Sequence, residues 1–237
     1  MKVLDVELPE PLAAFYREVE ALFAAEGLSL VCERASGPEF GGFYREEGRA
    51  LVTVRSDLPP EATCHTLAHE LVHGLQRREG WPLATAGPEL GADSPAEEVA
   101  AVLQALVHCA AAELRIAPLG LDASWEQRER HAGVRSMLRA PHAGANVPGT
   151  PAWAYWSLLY AYLELLHPAE HVRTLLRNIK RALPQAAATG QRAAELVRFH
   201  GYATPDQALA AMRAVHELLR LGHHVVIEDP RATATAG

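Results

Sequence analysis

At 237 residues, 49% hydrophobic and 22% charged, the chain has the make-up of an ordinary soluble globular protein with one large domain or two small ones. Its formal net charge of −7 argues against direct, general nucleic-acid binding. The three cysteines, Cys32, Cys64 and Cys109, are odd in number and far apart, so they form neither a disulfide framework nor a C-x-x-C zinc finger and point to a reducing, cytoplasmic compartment.

The first residues contain no apolar signal core, because Asp5, Glu7 and Glu10 interrupt it. Pro9 to Ala25 reads as a helix: Leu12, Phe15, Tyr16, Val19, Leu22 and Phe23 recur at the helical period and Gly27 ends it. Leu28 to Glu33, Gly41 to Arg45 and Ala50 to Arg55 read as strands, the last two joined by a hairpin at Glu46-Glu47-Gly48-Arg49. A small antiparallel sheet is therefore expected to lead into the next helix.

That helix carries Thr66-Leu67-Ala68-His69-Glu70-Leu71-Val72-His73-Gly74. Leu67, Leu71, Val72 and Leu75 form its apolar stripe, Pro59-Pro60-Glu61 starts it, Arg77 and Arg78 suit its C-terminal dipole, and Gly80 and Pro82 stop it. Within it lies H-E-x-x-H. Positions i and i+4 share a helix face roughly 6 Å apart, a spacing that lets His69 and His73 reach one tetrahedral Zn²⁺. Glu70 points to the side, where its carboxylate can take a proton from an activated water without occupying the metal. With 12 histidines in the chain, H-x-x-x-H arises by chance about 0.6 times; adding the Glu cuts this to roughly 0.04, which favours a metal site over packed histidines.

A loop rich in Gly and Pro, Gly80 to Asp93, precedes a helix from Pro95 to about Ile116 with Ser94 as its N-cap. A catalytic zinc keeps three protein ligands and one open position, and Glu97 and Glu98 are the candidates for the third. Glu97 fits a capping box with Ser94. Glu98 shares a face with Val102, Ala105 and Cys109 that could press on the histidine helix, so Glu98 is favoured over Glu97.

These residues together resemble the ImmA/IrrE-type zinc metallopeptidases, minimal gluzincins. The resemblance covers about Phe40 to Val107: the hairpin Gly42-Phe43-Tyr44 with Leu51-Val52-Thr53-Val54, the Asp57-Leu58-Pro59-Pro60 lead-in, the H-E-x-x-H helix and a Glu-led helix. It implies a zincin-like fold in which His69, His73 and Glu98 hold zinc and Glu70 activates water. The family pattern of Glu-Ala-Asn or Glu-Ala-Asp before an aromatic is replaced here by Glu98-Val99-Ala100 and Val102.

Further on, Trp125 to Leu138 reads as a charged helix and Pro141 to Pro151 as a linker, dividing a catalytic core, 1–140, from a helical region, 141–237. Four helical segments follow, Ala152–Leu166, Pro168–Leu183, Gln185–Phe199 and Pro205–Leu221, then a short strand from His223 to Glu228 and a loose tail from Arg231 to Gly237. Ala152–Leu166 is the most apolar run, yet at about fifteen residues with Glu164 it is too short to span a bilayer, so no membrane partner is expected. His65, one turn before His69, is expected beside the site or at the surface, since three histidines spread over about 12 Å cannot share one ion. His167-Pro168-Ala169-Glu170-His171 matches an inverted metal motif, but Pro168 breaks its geometry. Tyr44 and His131 are candidates for an oxyanion donor, and His108 and His131 are fallbacks for the third ligand. The fold class expected is α+β, mostly helical. The function expected is zinc-dependent cleavage of a protein or peptide substrate by a selective endopeptidase, with a non-catalytic zinc-stabilised binding module as the alternative.

Overall fold

The structure, a computed structural model, describes residues 1–91 and 94–234. It is a mostly helical α+β fold with small sheets, and its chain forms two compact units. One comprises Met1–Glu79 and Ala112–Glu129, the other Gly80–Ala111 and Arg130–Gly237. The Gly- and Pro-rich stretch is a pinned turn: Thr150 Oγ1 donates to the Gly144 carbonyl at 2.8 Å, and Asn146 Oδ1 accepts the Gln185 N–H at 2.7 Å.

The first unit opens with a hairpin, β1 (Lys2–Val3) and β2 (Val6–Glu7), and helix α1 (Glu10–Ala25). Strands β3 (Ser29–Ala35), β4 (Gly41–Glu46) and β5 (Arg49–Arg55) form a sheet in the order β3-β5-β4. The hairpin of β4 and β5 is antiparallel, as expected, but β3 pairs parallel with β5, from Ser29 opposite Arg49 to Ala35 opposite Arg55. The sheet is mixed, and the expectation of an all-antiparallel one is corrected. The reason lies in β5: Ala50, Val52 and Val54 alternate inward and are fully buried, so β5 takes the centre and leaves both flanks to be paired.

Helix α2 (Pro60–Arg78) lies against β4 and β5. Pro60 occupies the first turn, Arg77 and Arg78 the last, and the chain leaves through Glu79. Its approach to β4 depends on two residues without Cβ atoms. A Cβ on Gly74 would stand 2.6 Å from Phe43 Cε2, and one on Gly41 would stand 2.8 Å from Glu70 Cγ. The core of this unit joins Leu12, Tyr16, Val19 and Phe23 of α1 to Val52, Leu67, Leu71 and Leu75.

Helix α3 (Pro95–Ile116) starts at Ser94, whose Oγ accepts the Ala96 N–H at 3.3 Å. The reciprocal half of the expected capping box is replaced: the Ser94 N–H donates to the Gly91 carbonyl instead of to Glu97. Helix α4 spans Ser124–Arg139. Among the described residues, one helical stretch, Pro95–Leu119, is long and apolar enough to cross a membrane; 56% of its most apolar window is buried within the protein.

The second unit is helical, with α5 (Pro151–Leu166), α6 (Ala169–Ala182), α7 (Pro184–His200) and α8 (Pro205–Leu219). Trp153, Trp156, Leu158 and Leu163 bury nearly every face of α5, and the small Ala186, Ala187, Ala193 and Ala194 let α7 pack closely. Strand β6 (Leu83–Ala86), unanticipated in the loop after α2, pairs antiparallel with β7 (Val225–Glu228). The expected tail begins as a short helix, α9 (Pro230–Ala234), and residues 235–237 lie outside the described residues, as do 92–93 of the loop before α3.

Phe43 is stacked on Phe23 with ring centroids 5.6 Å apart, so it has little room to yield to a methyl group at Gly74. Gly74→Ala should therefore lose about 1–3 kcal/mol, the range for overpacking a filled core. A thermal melt checks this; a wild-type melting temperature would show that the ring can swing clear.

Candidate metal centre

From Ala62 to Gln76 every residue of α2 is buried except His69 and His73. The two imidazoles are thus the points at which an otherwise enclosed helix remains partly accessible. Their rings meet edge to face with centroids 4.6 Å apart.

Each ring has its Nδ1 committed to an oxygen acceptor. His69 Nδ1 lies 2.9 Å from Glu113 Oε1, and His73 Nδ1 lies 2.7 Å from Gln76 Oε1. A carboxylate can only accept, so the Nδ1 of His69 carries the proton, and in the neutral imidazole its Nε2 carries the lone pair. This is the tautomer a metal-binding histidine adopts when its remote nitrogen is anchored.

His69 and His73, one turn apart on the same face of α2, each present a ring nitrogen that could bind a metal ion, and imidazole is a donor type that suits zinc.

Glu70 is 9% exposed, with its side chain beside Gly41 at the start of edge strand β4. Its neighbour Thr66 donates its hydroxyl to Glu126 Oε1. His65, 3% exposed, is beside the centre and not at the surface. Its Nε2 stands 3.3 Å from Glu113 Oε2, and its Nδ1 is 3.1 Å from Glu126 Oε1 in an ion pair off the line of a hydrogen bond. Burial alone would depress the His65 imidazolium, but Glu113 and Glu126 outweigh it and raise its pKa to about 9. Burial would raise both carboxyls, but hydrogen bonding and charge from His65 hold them below the usual carboxylate range, with His69 and Thr66 adding to the effect.

Glu97 and Glu98, the expected candidates for the third ligand, stand in the first turn of α3. Both are exposed, and Glu98 lines a cavity with His142, Thr150 and Tyr155. Glu113, the acceptor for His69 Nδ1, was missed; the signal was present in the stripe Glu98, Val102, Ala105, Cys109, which continues at helical spacing to Glu113.

The other histidines have structural partners. His108 Nε2 donates to the Pro82 carbonyl at 2.9 Å and its ring meets Trp81 edge to face. His131 Nε2 lies 2.6 Å from His167 Nδ1, so the two buried rings share a proton. Tyr44 is 52% exposed, its hydroxyl beside Gly42 on its own strand.

No family model, curated protein or solved structure matches this chain.

Burial, then the charges of Arg135, His171 and Arg130, lower the pKa of His131 from 6.5. The unfolded chain therefore binds this proton more readily than the folded one. The contribution to stability is complete above about pH 6.5 and is lost as the pH falls below it. Denaturant melts of wild type and His131→Phe across pH 5–8 should show a shallower acid limb in the variant. Identical slopes would remove His131 as the cause.

Proposed function

We propose that the protein is a zinc-dependent peptidase that acts on an extended segment of a protein or peptide substrate. The observation that carries this reading is the pair of half-open histidines on α2, each with Nδ1 anchored to an acceptor, next to a buried Glu70 under an edge strand. The resemblance of the motif and its flanking hairpin to ImmA/IrrE-type metallopeptidases supports the same reading. His69 and His73 would hold the ion through Nε2.

When bound, zinc supplies a Lewis acid that lowers the pKa of a water and polarises a carbonyl. The remaining work falls to the chain itself. Glu70 takes a proton from the attacking water on its carboxylate and returns it to the nitrogen of the departing amine. The outer edge of β4 offers backbone donors and acceptors to a substrate strand, which Gly41 would bring past Glu70. The three cysteines form no disulfide, which fits a cytoplasmic setting.

A second reading, a zinc-stabilised binding module that cuts nothing, draws on the second unit. That unit has a helical core of its own, and the described residues contain no second group of metal donors.

Zinc analysis and a peptide-library digest separate the readings. Wild type and Glu70→Gln should each retain about one zinc per chain, and Glu70→Gln should lose cleavage by at least about 100-fold, the scale of a missing general base. A wild type free of zinc contradicts both readings. Zinc without cleavage in the wild type favours the binding module.

A further inference from the structure

We infer that Glu113, clamped from behind by His65 and Glu126, is the positioning residue that sets the tautomer and ring orientation of His69. The inference rests on the reading of His69 as a metal ligand and adds to it the group that prepares the ligand.

The geometry runs as one chain of contacts. His69 Nδ1 donates to Glu113 Oε1 at 2.9 Å, and the other oxygen of that carboxylate faces His65 Nε2 at 3.3 Å. The far nitrogen of His65 pairs with Glu126 Oε1 at 3.1 Å, and Thr66 donates to the same Glu126 oxygen. An isolated imidazole on a helix has two tautomers and a broad two-fold torsion at its ring. A carboxylate fixed on both oxygens removes these freedoms, because it accepts only at Nδ1 and only in one ring plane.

The arrangement also accounts for the burial of His65. Two carboxylates beside one enclosed imidazole would repel each other without a cation between them, and a buried charge persists only when paired. His65 therefore does not extend the metal site by a turn. It holds the carboxylate that orients the next histidine. His73 receives the same service from Gln76 of its own helix, a neutral acceptor that needs no counter-charge.

The test begins without metal. In chelator-treated protein with ¹⁵N-labelled histidine, long-range ¹H–¹⁵N correlation should show His69 with protonated Nδ1 and lone-pair Nε2. Glu113→Ala should let the ring average between tautomers, and Glu113→Gln should restore the wild-type pattern, since an amide oxygen still accepts. In competition with a chromogenic chelator, Glu113→Ala should bind zinc 10–100-fold more weakly, the usual cost of losing such a partner, and Glu113→Gln should recover most of the affinity. A wild-type His69 that averages tautomers overturns the inference and needs no variant to fold. So does zinc affinity unchanged in Glu113→Ala, or Glu113→Gln as impaired as Glu113→Ala. A wild type that holds His69 in this tautomer yet binds no zinc fails differently: it removes the metal reading, and the purpose assigned to Glu113 falls with it.

Discussion

The hydrogen bond between His69 Nδ1 and Glu113 Oε1 is the constraint on which the rest of the centre depends. It joins the H-E-x-x-H helix to a residue forty-four positions later in the chain. The acceptor is anionic and only partly exposed, and the enclosed His65 supplies a cation beside it; because His65 touches a second carboxylate, Glu126 and Thr66 are drawn into the same network. Two charged residue types that are seldom buried are thus enclosed together at tolerable cost, each satisfying the other. The network is polar where the surrounding core of Leu67, Leu71 and Leu75 is not, and so it specifies one register of helix against helix.

The opposite flank of α2 is governed by closeness instead of charge. Gly41 and Gly74 allow β4 to lie against the helix at the turns that carry Glu70 and Gly74 itself. The buried carboxylate of Glu70 is therefore enclosed between a helix and the margin of a sheet, with the backbone of an edge strand alongside. A general base works best where its surroundings are fixed and water is limited, and both conditions follow from two missing side chains.

Much of this was legible in the sequence, and the parts that were not share a cause. The H-E-x-x-H helix, α1, the hairpin of β4 and β5 and the limits of α3 follow from local periodicity and punctuation at Gly27, Pro60 and Pro95. The parallel pairing of β3, the pairing of β6 with β7 and the contact of Glu113 with His69 are set by contacts distant in sequence. The glycines and prolines near residue 145 resemble a linker in composition, while their hydrogen bonds to Gly144 and Gln185 make them a tight turn.

X-ray absorption at the zinc edge of the metal-loaded protein tests the central claim most directly, because it reads the donor atoms themselves. The account predicts two imidazole nitrogens at about 2.0–2.1 Å, the distance of a histidine-bound zinc. A first shell without imidazole scattering, or a protein that retains no zinc to measure, would contradict it.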